Sequence, residues 1–270
     1  MTTAEFVPGS PDIPPTGDTG VSVVVDGALA TVTLNRPEQL NAQTPLTWAA
    51  LREVGSALPA TVRVVLVQGA GRAFSAGLHR AMFSHPPPGV PSMADLAAMT
   101  PEQASAVIAG YQDAFGWLAR PDIVSIAAVQ GHAVGAGFQL ALACDLRVIS
   151  TDAVFTMAEV ALGLVPDLGG TRRLVELVGY SRAMDLVLTA RPIGADEAMT
   201  MGLASRLVPR AELGSAAADL AQEILARPRD AVIEAKALLL HASATGSSEQ
   251  EAAERAAQHR LLRSLAGHPD

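Results

Sequence analysis

The sequence has very little of two reactive residue types: Cys144 is the only cysteine and Lys236 the only lysine among 270 residues. A single cysteine excludes a disulfide within the chain and is typical of a reducing compartment. Because Cys144 lies in an apolar stretch, we expect a packed core thiol and no nucleophile there. With one lysine, an anionic ligand has to be bound by arginines, by Lys236 or by backbone amides.

Excess positive charge and long apolar runs are also missing. The net charge is −8 and there is no basic stripe, which argues against nucleic acid as a partner. No apolar run has the length of a membrane-spanning helix. Residues 1–20 contain several prolines and no basic residue, so we expect a flexible tail and no signal peptide. These absences predict a cytoplasmic protein without a membrane or nucleic-acid partner.

The full sequence is 49% hydrophobic, which is enough for a substantial core. After residue 20 it alternates strand-like and helix-like segments. Residues 21–25 and 29–34 are joined by Asp26 and Gly27, which predicts a hairpin. Thr44 followed by Pro45 predicts the start of a helix that ends near Leu58. Further strands are predicted at 62–67, 123–129, 146–149 and 154–155, and further helices at 103–118, 138–144, 171–178, 181–188, 195–201, 211–226, 229–242 and 247–265. This order indicates an α/β core followed by a helical end.

A glycine-rich turn, with Gly131, Gly135 and Gly137, joins the strand at 123–129 to the helix at 138–144. Glycine permits tight backbone turns, and amides at the positive end of a helix are suited to holding an oxyanion. A glycine-rich connection without chemistry is the alternative. Leu140 stands where a dinucleotide-binding fingerprint would require glycine.

Four segments in this order resemble the crotonase superfamily, also called the enoyl-CoA hydratase/isomerase family: residues 34–42, 71–77, 130–145 and 158–171. The later pieces 194–198, 202–203 and 235–236 also fit. The resemblance implies a crotonase-like α/β fold, a spiral of ββα units with a C-terminal helical trimerisation region. It also implies a homotrimer or dimer of trimers and an acyl-CoA thioester ligand. We therefore expect a tail at 1–20, a core at 21–205 and a helical region at 206–270.

The resemblance implies an oxyanion hole formed by the backbone amides of Leu78 and Ala136. Preorganised amides stabilise a developing oxyanion, and a backbone donor tolerates a change of side chain. Ala136 has to adopt a conformation open to a residue with a Cβ atom. His79 follows Leu78 where the family commonly has an acid; it contacts the ligand or, alternatively, serves as a capping or solvent-facing residue. His132 is expected to be structural.

The carboxylates separate the possible reactions. Two glutamates hold and activate water in the family's hydratases, and their positions correspond to Gln139 and Glu159. Gln139 can form hydrogen bonds but cannot transfer a proton. Asp167 lies eight residues after Glu159, a spacing that resembles dienoyl-CoA isomerases. The alternative for Asp167 is a helix N-cap, and for Glu159 an ordinary surface residue.

These observations favour an enoyl-CoA isomerase that shifts a double bond, with Glu159 and Asp167 as catalytic acids. An enoyl-CoA hydratase and a non-catalytic acyl-CoA-binding protein are the alternatives. No metal and no separate cofactor are expected, since coenzyme A is part of the substrate. The candidate residues for binding substrate or CoA are Arg36, Ala73, Ser75, Gly135 and Gln139. Residues 84–103 are expected to be a proline-rich loop, either a mobile pocket wall or a plain surface loop.

Overall fold

The computed structural model describes residues 19–243 and 245–267. Residues 1–18 of the predicted tail lie outside this part. The strands are β1 (Val21–Asp26), β2 (Leu29–Leu34), β3 (Val64–Gly69), β4 (Val124–Val129), β5 (His132–Val134), β6 (Leu146–Ser150), β7 (Val154–Thr156), β8 (Ile193–Gly194) and β9 (Arg206–Val208). The helices are α1 (Pro45–Ala57), α2 (Met93–Ala98), α3 (Pro101–Gly116), α4 (Ala136–Ala143), α5 (Gly170–Val178), α6 (Tyr180–Thr189), α7 (Ala195–Thr200), α8 (Leu213–Leu225), α9 (Arg229–Ala242) and α10 (Ser247–Leu265).

Six strands form the main sheet in the order β1-β2-β3-β4-β6-β9. The β1–β2 pair is the predicted antiparallel hairpin, with Gly27 at a positive φ in its turn, and the strands that follow β2 pair in parallel. A smaller sheet contains β5, β7 and β8. Both faces of β4 are buried: Ala127 and Val129 join the main core, while Ile126 and Ala128 pack with α8. This burial explains the continuous apolar run that predicted the strand.

The parallel arrangement brings the segments that follow β3 and β4 to one edge of the sheet. An isolated parallel bridge between Ser75 and Ala133 joins these two segments, and a second one between Gln43 and Leu78 joins the segment after β3 to the segment after β2. In sheets of this kind, ligands bind outside the carboxyl ends of the strands. The site described below lies at this edge.

The last helices attach to the sheet in different ways. Helix α8 covers the face of the sheet opposite the main core. Helix α9 buries a single residue, Lys236, whose ammonium group donates to Asp145 Oδ2 and to the Ile123 carbonyl, both at 2.7 Å. Helix α10 pairs with α9 and likewise buries one residue, Ala257. One buried ion pair is therefore the main polar link between α9 and the core.

Two sequence expectations are corrected by the structure. Residues 84–103 are not one loop, because Ser92 and Asp95 form a capping box at the start of α2. The following helix begins at Pro101, two residues before its predicted start, because Thr100 is its N-cap. Among the described residues, no helix combines the length and apolar character needed to cross a membrane.

Candidate active site

The loop after β3 is held by a buried polar cluster around Ser75. Its hydroxyl donates to the Asn41 carbonyl at 2.7 Å and accepts from Gln43 Nε2 at 3.0 Å. Gln43 also accepts from the Trp48 indole N–H at 2.8 Å, so its side chain cannot turn freely. The Gln43 backbone pairs with the backbone of Gly77 and His79 on either side of Leu78. This pairing leaves the Leu78 amide without an acceptor among the described residues.

The second predicted oxyanion donor is the first residue of α4. Gly135, at φ +51°, precedes the helix as its N-cap, and its N–H donates to the Thr156 carbonyl at 2.8 Å. Ala136 therefore begins a helix, where the first amides have no partner within the helix and meet the positive end of the dipole. The conformation that requires glycine falls on Gly135, so Ala136 can carry its methyl group.

Gly77 allows the two segments to approach closely. It has φ +80°, and a Cβ atom on it would lie 2.3 Å from the Val134 carbonyl oxygen and 3.4 Å from the Ala136 nitrogen. Any side chain at this position would push the two segments apart. The amides of Leu78 and Ala136 are thus brought to the same place, where both remain unpaired within the described chain.

The side-chain amide of Gln139 is buried on the same helix that begins with Ala136. Gln139, on α4, is 1% exposed. Its Oε1 accepts from the Leu168 amide at 2.9 Å and the Gly170 amide at 3.3 Å, while its Nε2 donates to Glu159 Oε1 at 2.8 Å. The residue thus connects α4 with the segment of Glu159 and with the start of α5.

Glu159 has one fixed and one free oxygen. Its Oε2 is buried without a hydrogen-bond partner among the described residues. Burial raises the pKa of Glu159 above the ordinary value, the negative charge of Asp167 adds to the rise, and the Gln139 donor opposes it. An unpaired carboxylate oxygen with increased proton affinity is suited to accepting a proton.

Asp167 is the second acid near this position. Burial raises the pKa of Asp167 as well. Helix α5 has Gly169 as its N-cap and no side-chain cap, so the capping alternative for Asp167 is excluded. Gln112 on α3 donates to the Asp167 carbonyl at 2.7 Å, and the pKa of Tyr111 is raised by burial and by the charge of Asp167. Helix α3 therefore forms the wall beside this acid, a contact that the sequence did not reveal.

Ala73 and Ser75 are held in place by hydrogen bonds within the protein. Ser75 is fully buried, and its amide and carbonyl pair with His132 and Val134. The Ala73 carbonyl accepts from Asn41 Nδ2 at 2.8 Å. Both residues therefore support the loop, and the ligand contact expected from the sequence stays a prediction.

The other residues considered in the sequence have structural contacts or lie at the surface. The Arg36 amide donates to Asn41 Oδ1 at 2.9 Å, so this residue belongs to the segment that supports the loop. His79 caps the short helical turn that follows it, because its Nδ1 accepts from the Ala81 amide at 3.1 Å. His132 is exposed on β5. Cys144 is buried, and burial raises the pKa of its thiol to about 12, which fits the expected core residue.

Asn41 and Gln43 were missed as supporting residues. Asn41 adopts φ +54° and ties together three backbone positions through its side chain. Both residues fall in or beside the segment 34–42, whose motif carried the resemblance, but their contacts span about thirty residues of sequence. Within residues 19–243 and 245–267, no group of three His, Cys, Asp or Glu side chains is arranged to hold a metal ion.

The family model described as enoyl-CoA hydratase/isomerase matches residues 25–268. The chain belongs to this family. A candidate enoyl-CoA hydratase from Thermobifida fusca, solved in complex with acetoacetyl-CoA, is 47% identical with a TM-score of 0.88, over 91% of this chain and 96% of that one. The crotonase-like fold with a C-terminal helical region is thereby confirmed, and the chain is an enzyme of this family.

The similar sequences carry names for two reactions. The probable enoyl-CoA hydratase echA8 of Mycobacterium bovis is 36% identical over 70% of this chain and 68% of its own length. The mitochondrial Delta(3,5)-Delta(2,4)-dienoyl-CoA isomerase of Homo sapiens is 35% identical over 78% of this chain and 65% of its own length. Family membership therefore leaves the choice of reaction to the arrangement of the acids.

Proposed function

We propose that this chain is an enoyl-CoA isomerase. The thioester oxygen of an enoyl-CoA accepts hydrogen bonds from the amides of Leu78 and Ala136. Glu159 removes a proton from the α-carbon of a 3-enoyl thioester, and the electrons of the C–H bond delocalise into a dienolate whose oxygen lies between the two amides. Return of a proton to the γ-carbon gives the 2-enoyl thioester. Asp167 assists Glu159 in this transfer.

The free Oε2 atom of Glu159 is the observation that carries the proposal. Addition of water to a double bond requires the water to be held and a proton to be delivered. In the hydratases that this chain resembles, a second glutamate shares that task. Here Gln139 fills the position, and its amide is already engaged with Glu159, Leu168 and Gly170. One free carboxylate oxygen is sufficient for moving a proton between two carbons of the same substrate.

A hydratase is the second candidate, because most of the similar proteins are named as hydratases. In this reaction Asp167 would replace the missing acid, and Glu159 would activate the water. The buried position of Asp167 near the charge of Glu159 supports this arrangement. Non-catalytic acyl-CoA binding is a weaker candidate, since an acid with a free, buried oxygen serves no purpose in binding a neutral acyl chain.

The proposal extends to the ligand and the assembly. The substrate is an acyl-CoA thioester, as in the Thermobifida fusca complex, and no metal or separate cofactor takes part. We further propose a homotrimer or a dimer of trimers in the cytoplasm. The exposed apolar residues Leu162, Val165 and Leu188 support association between copies of the chain.

Supplying trans-3-enoyl-CoA and trans-2-enoyl-CoA separately tests the reaction. An isomerase converts the first to the second and adds no water to the second. Fast hydration of the 2-enoyl substrate without any isomerisation would establish the hydratase instead. Tight binding with neither product, and without exchange of α-protons in deuterated water, would establish a binding protein.

The variant Glu159→Gln tests the base. Isomerisation should fall by about 10³-fold or more while the CoA thioester still binds, because the shape of the side chain is kept and its basicity is lost. Glu251→Gln on α10 is the matched control, since Glu251 is exposed and distant in sequence from the site.

A further inference from the structure

The partners of Gln139 fix the orientation of its amide. The carbonyl oxygen faces two backbone N–H groups, of Leu168 and Gly170, and the amino group faces a carboxylate oxygen of Glu159. An amino group has no lone pair to accept from an N–H, and a carbonyl cannot donate to a carboxylate. A rotated amide would lose all three hydrogen bonds, so one orientation is strongly favoured.

We propose that Gln139 is a positioning residue, which holds Oε1 of Glu159 and leaves Oε2 as the oxygen of this carboxylate that accepts the proton. This inference rests on the proposed proton transfer by Glu159. In this role the carbonyl oxygen and one N–H of the Gln139 side chain are used within the protein, and the substrate contact expected from the sequence stays a prediction for the second N–H. It also makes Gln139 the link between Glu159 and the segment that carries Asp167.

Two glycines make room for the amide and the carboxylate. A Cβ atom on Gly135 would lie 3.1 Å from Glu159 Oε1, and a Cβ atom on Gly170 would lie 2.7 Å from Gln139 Cγ. The pair is therefore enclosed by backbone on both sides. Backbone thus lies against the carboxylate of Glu159 on one side and against the side chain of Gln139 on the other, which limits the rotamers open to both.

An amide performs this task over a wide pH range, whereas an acid would not. A glutamate at position 139 would repel Glu159 when both are ionised. When protonated, however, it would donate from its hydroxyl to Glu159 and accept from the two amides, as glutamine does. Methionine has a similar volume and offers no hydrogen bonds. The variants Gln139→Glu and Gln139→Met thus separate the hydrogen bond from the packing.

The test is the pH profile of kcat/KM for isomerisation of trans-3-enoyl-CoA. The charged group that reaches Glu159 is Asp167, and Tyr111 from α3 in turn faces Asp167; both are unchanged in the variants. Loss of the donor destabilises ionised Glu159 and raises its pKa, so the acidic limb should move upwards by about one pH unit in Gln139→Met. Turnover should fall by about tenfold or more with little change in KM.

Gln139→Glu should behave differently. At acidic pH the pair shares one proton and the hydrogen bond is kept, so activity should approach that of the wild type. As the pH rises the second proton leaves and activity should fall, which gives a bell-shaped profile. Gln68→Met is the matched control, because Gln68 on β3 donates only to Thr33 and lies outside the site.

A wild-type profile and turnover in Gln139→Met would overturn the inference. If that variant does not fold, a Gln139→Glu profile without a falling upper limb would overturn it equally. Failure of the proposed function is distinguishable: in that case the wild type would not isomerise trans-3-enoyl-CoA, or Glu159→Gln would retain the isomerisation of the wild type. Loss of activity in Glu159→Gln together with an unaffected Gln139→Met would remove only the positioning role.

Discussion

At the scale of single residues, burial increases the proton affinity of Glu159. Water is removed from its carboxylate, and the pKa of the group rises above its ordinary value. As the proposed base, Glu159 acts only when ionised, so kcat/KM should be low at acidic pH and increase through this raised pKa to a plateau. Measuring kcat/KM against pH checks the prediction. An acidic limb at or below the ordinary value for glutamate would contradict it.

A substitution of Asp167 should affect the stability of the protein and its activity in different ways. Its pKa is raised by burial, so the folded state binds its proton more tightly than the unfolded state does. Stability therefore decreases as the pH rises from the ordinary value through the raised pKa, and at neutral pH the ionised group is a cost. Asp167→Asn should keep or increase the melting temperature.

The same variant should lower turnover of trans-3-enoyl-CoA by about 10- to 100-fold if Asp167 carries a proton. Asp219→Asn on the exposed side of α8 is the control and should change neither quantity. Unchanged turnover in Asp167→Asn would leave Glu159 as the only acid of the reaction.

The identities of the site residues could be predicted from the sequence, but their neighbours could not. Glu159, Gln139 and Asp167 were found because short motifs with fixed spacing carry them. Tyr111 and Gln112 belong to no motif, and they lie beside Asp167 only because α3 packs there. The part of Ser75 in supporting the loop could not be predicted, because a motif position does not reveal which hydrogen bonds its backbone and side chain form inside the protein.

At the scale of elements, the start of α4 places Gly135, a glycine at positive φ, directly beside the carboxylate of Glu159. Gly135→Ala would place a methyl group at a positive φ and 3.1 Å from Glu159 Oε1. The conformation alone costs about 1–3 kcal/mol, because Gly135 lies in a sparsely populated region at φ +51° and ψ −117°. Displacement of the carboxylate should additionally lower isomerisation by about tenfold or more. Thermal melting and turnover measure the two effects.

Gly27→Ala is the control for this change, because Gly27 has φ +56° and open space around its Cβ position. Its melting temperature should fall while its turnover stays at the wild-type level. Equal losses of turnover in both variants would show that strain, and not the contact with Glu159, is responsible.

The bounds of a helix or strand could be predicted where turn or capping residues mark its first or last residue. The Asp26–Gly27 turn and the Thr44–Pro45 start gave β1, β2 and α1 with their correct ends to within one residue. The strands β5, β8 and β9 have two or three residues, which is too few for a periodic pattern. The start of α2 was missed because the prolines before it dominated the interpretation of residues 84–103.

At the scale of the whole molecule, the connection of α9 to the core depends on Lys236. Lys236→Met would leave Asp145 without its cation, although the Ser125 amide and hydroxyl still bind that carboxylate. Removal of one partner from a buried ion pair costs about 3–5 kcal/mol. Denaturant-induced unfolding should show a loss of this size.

Arg260→Gln provides the comparison, since it breaks the ion pair between α10 and Glu234 of α9 at the surface. Its cost should stay below about 1 kcal/mol. Equal losses in the two variants would mean that Lys236 contributes no more than a surface pair, and that apolar contacts alone hold α9.

The overall architecture could be predicted because four motifs occur in a fixed order, and order constrains which strands become neighbours. Assembly could not be derived in this way, because the apolar residues exposed on α9 and α10, such as Leu239, Leu262 and Leu265, do not identify what covers them. The proposed domain limits at residues 20 and 205 remain predictions, since α8 packs tightly on the sheet from beyond the second limit.

The burial of Lys236 has a chemical consequence for an enzyme that handles activated acyl groups. Thioesters acylate free amines, and lysine is the usual target of such modification. Here the only lysine side chain is enclosed between α9 and the sheet, with its ammonium group bound to Asp145. Peptide mapping after incubation with acetyl-CoA should find Lys236 unmodified in the folded protein and acetylated after unfolding. The proposed acyl-CoA substrate would then leave the lysine side chain of the folded enzyme unmodified.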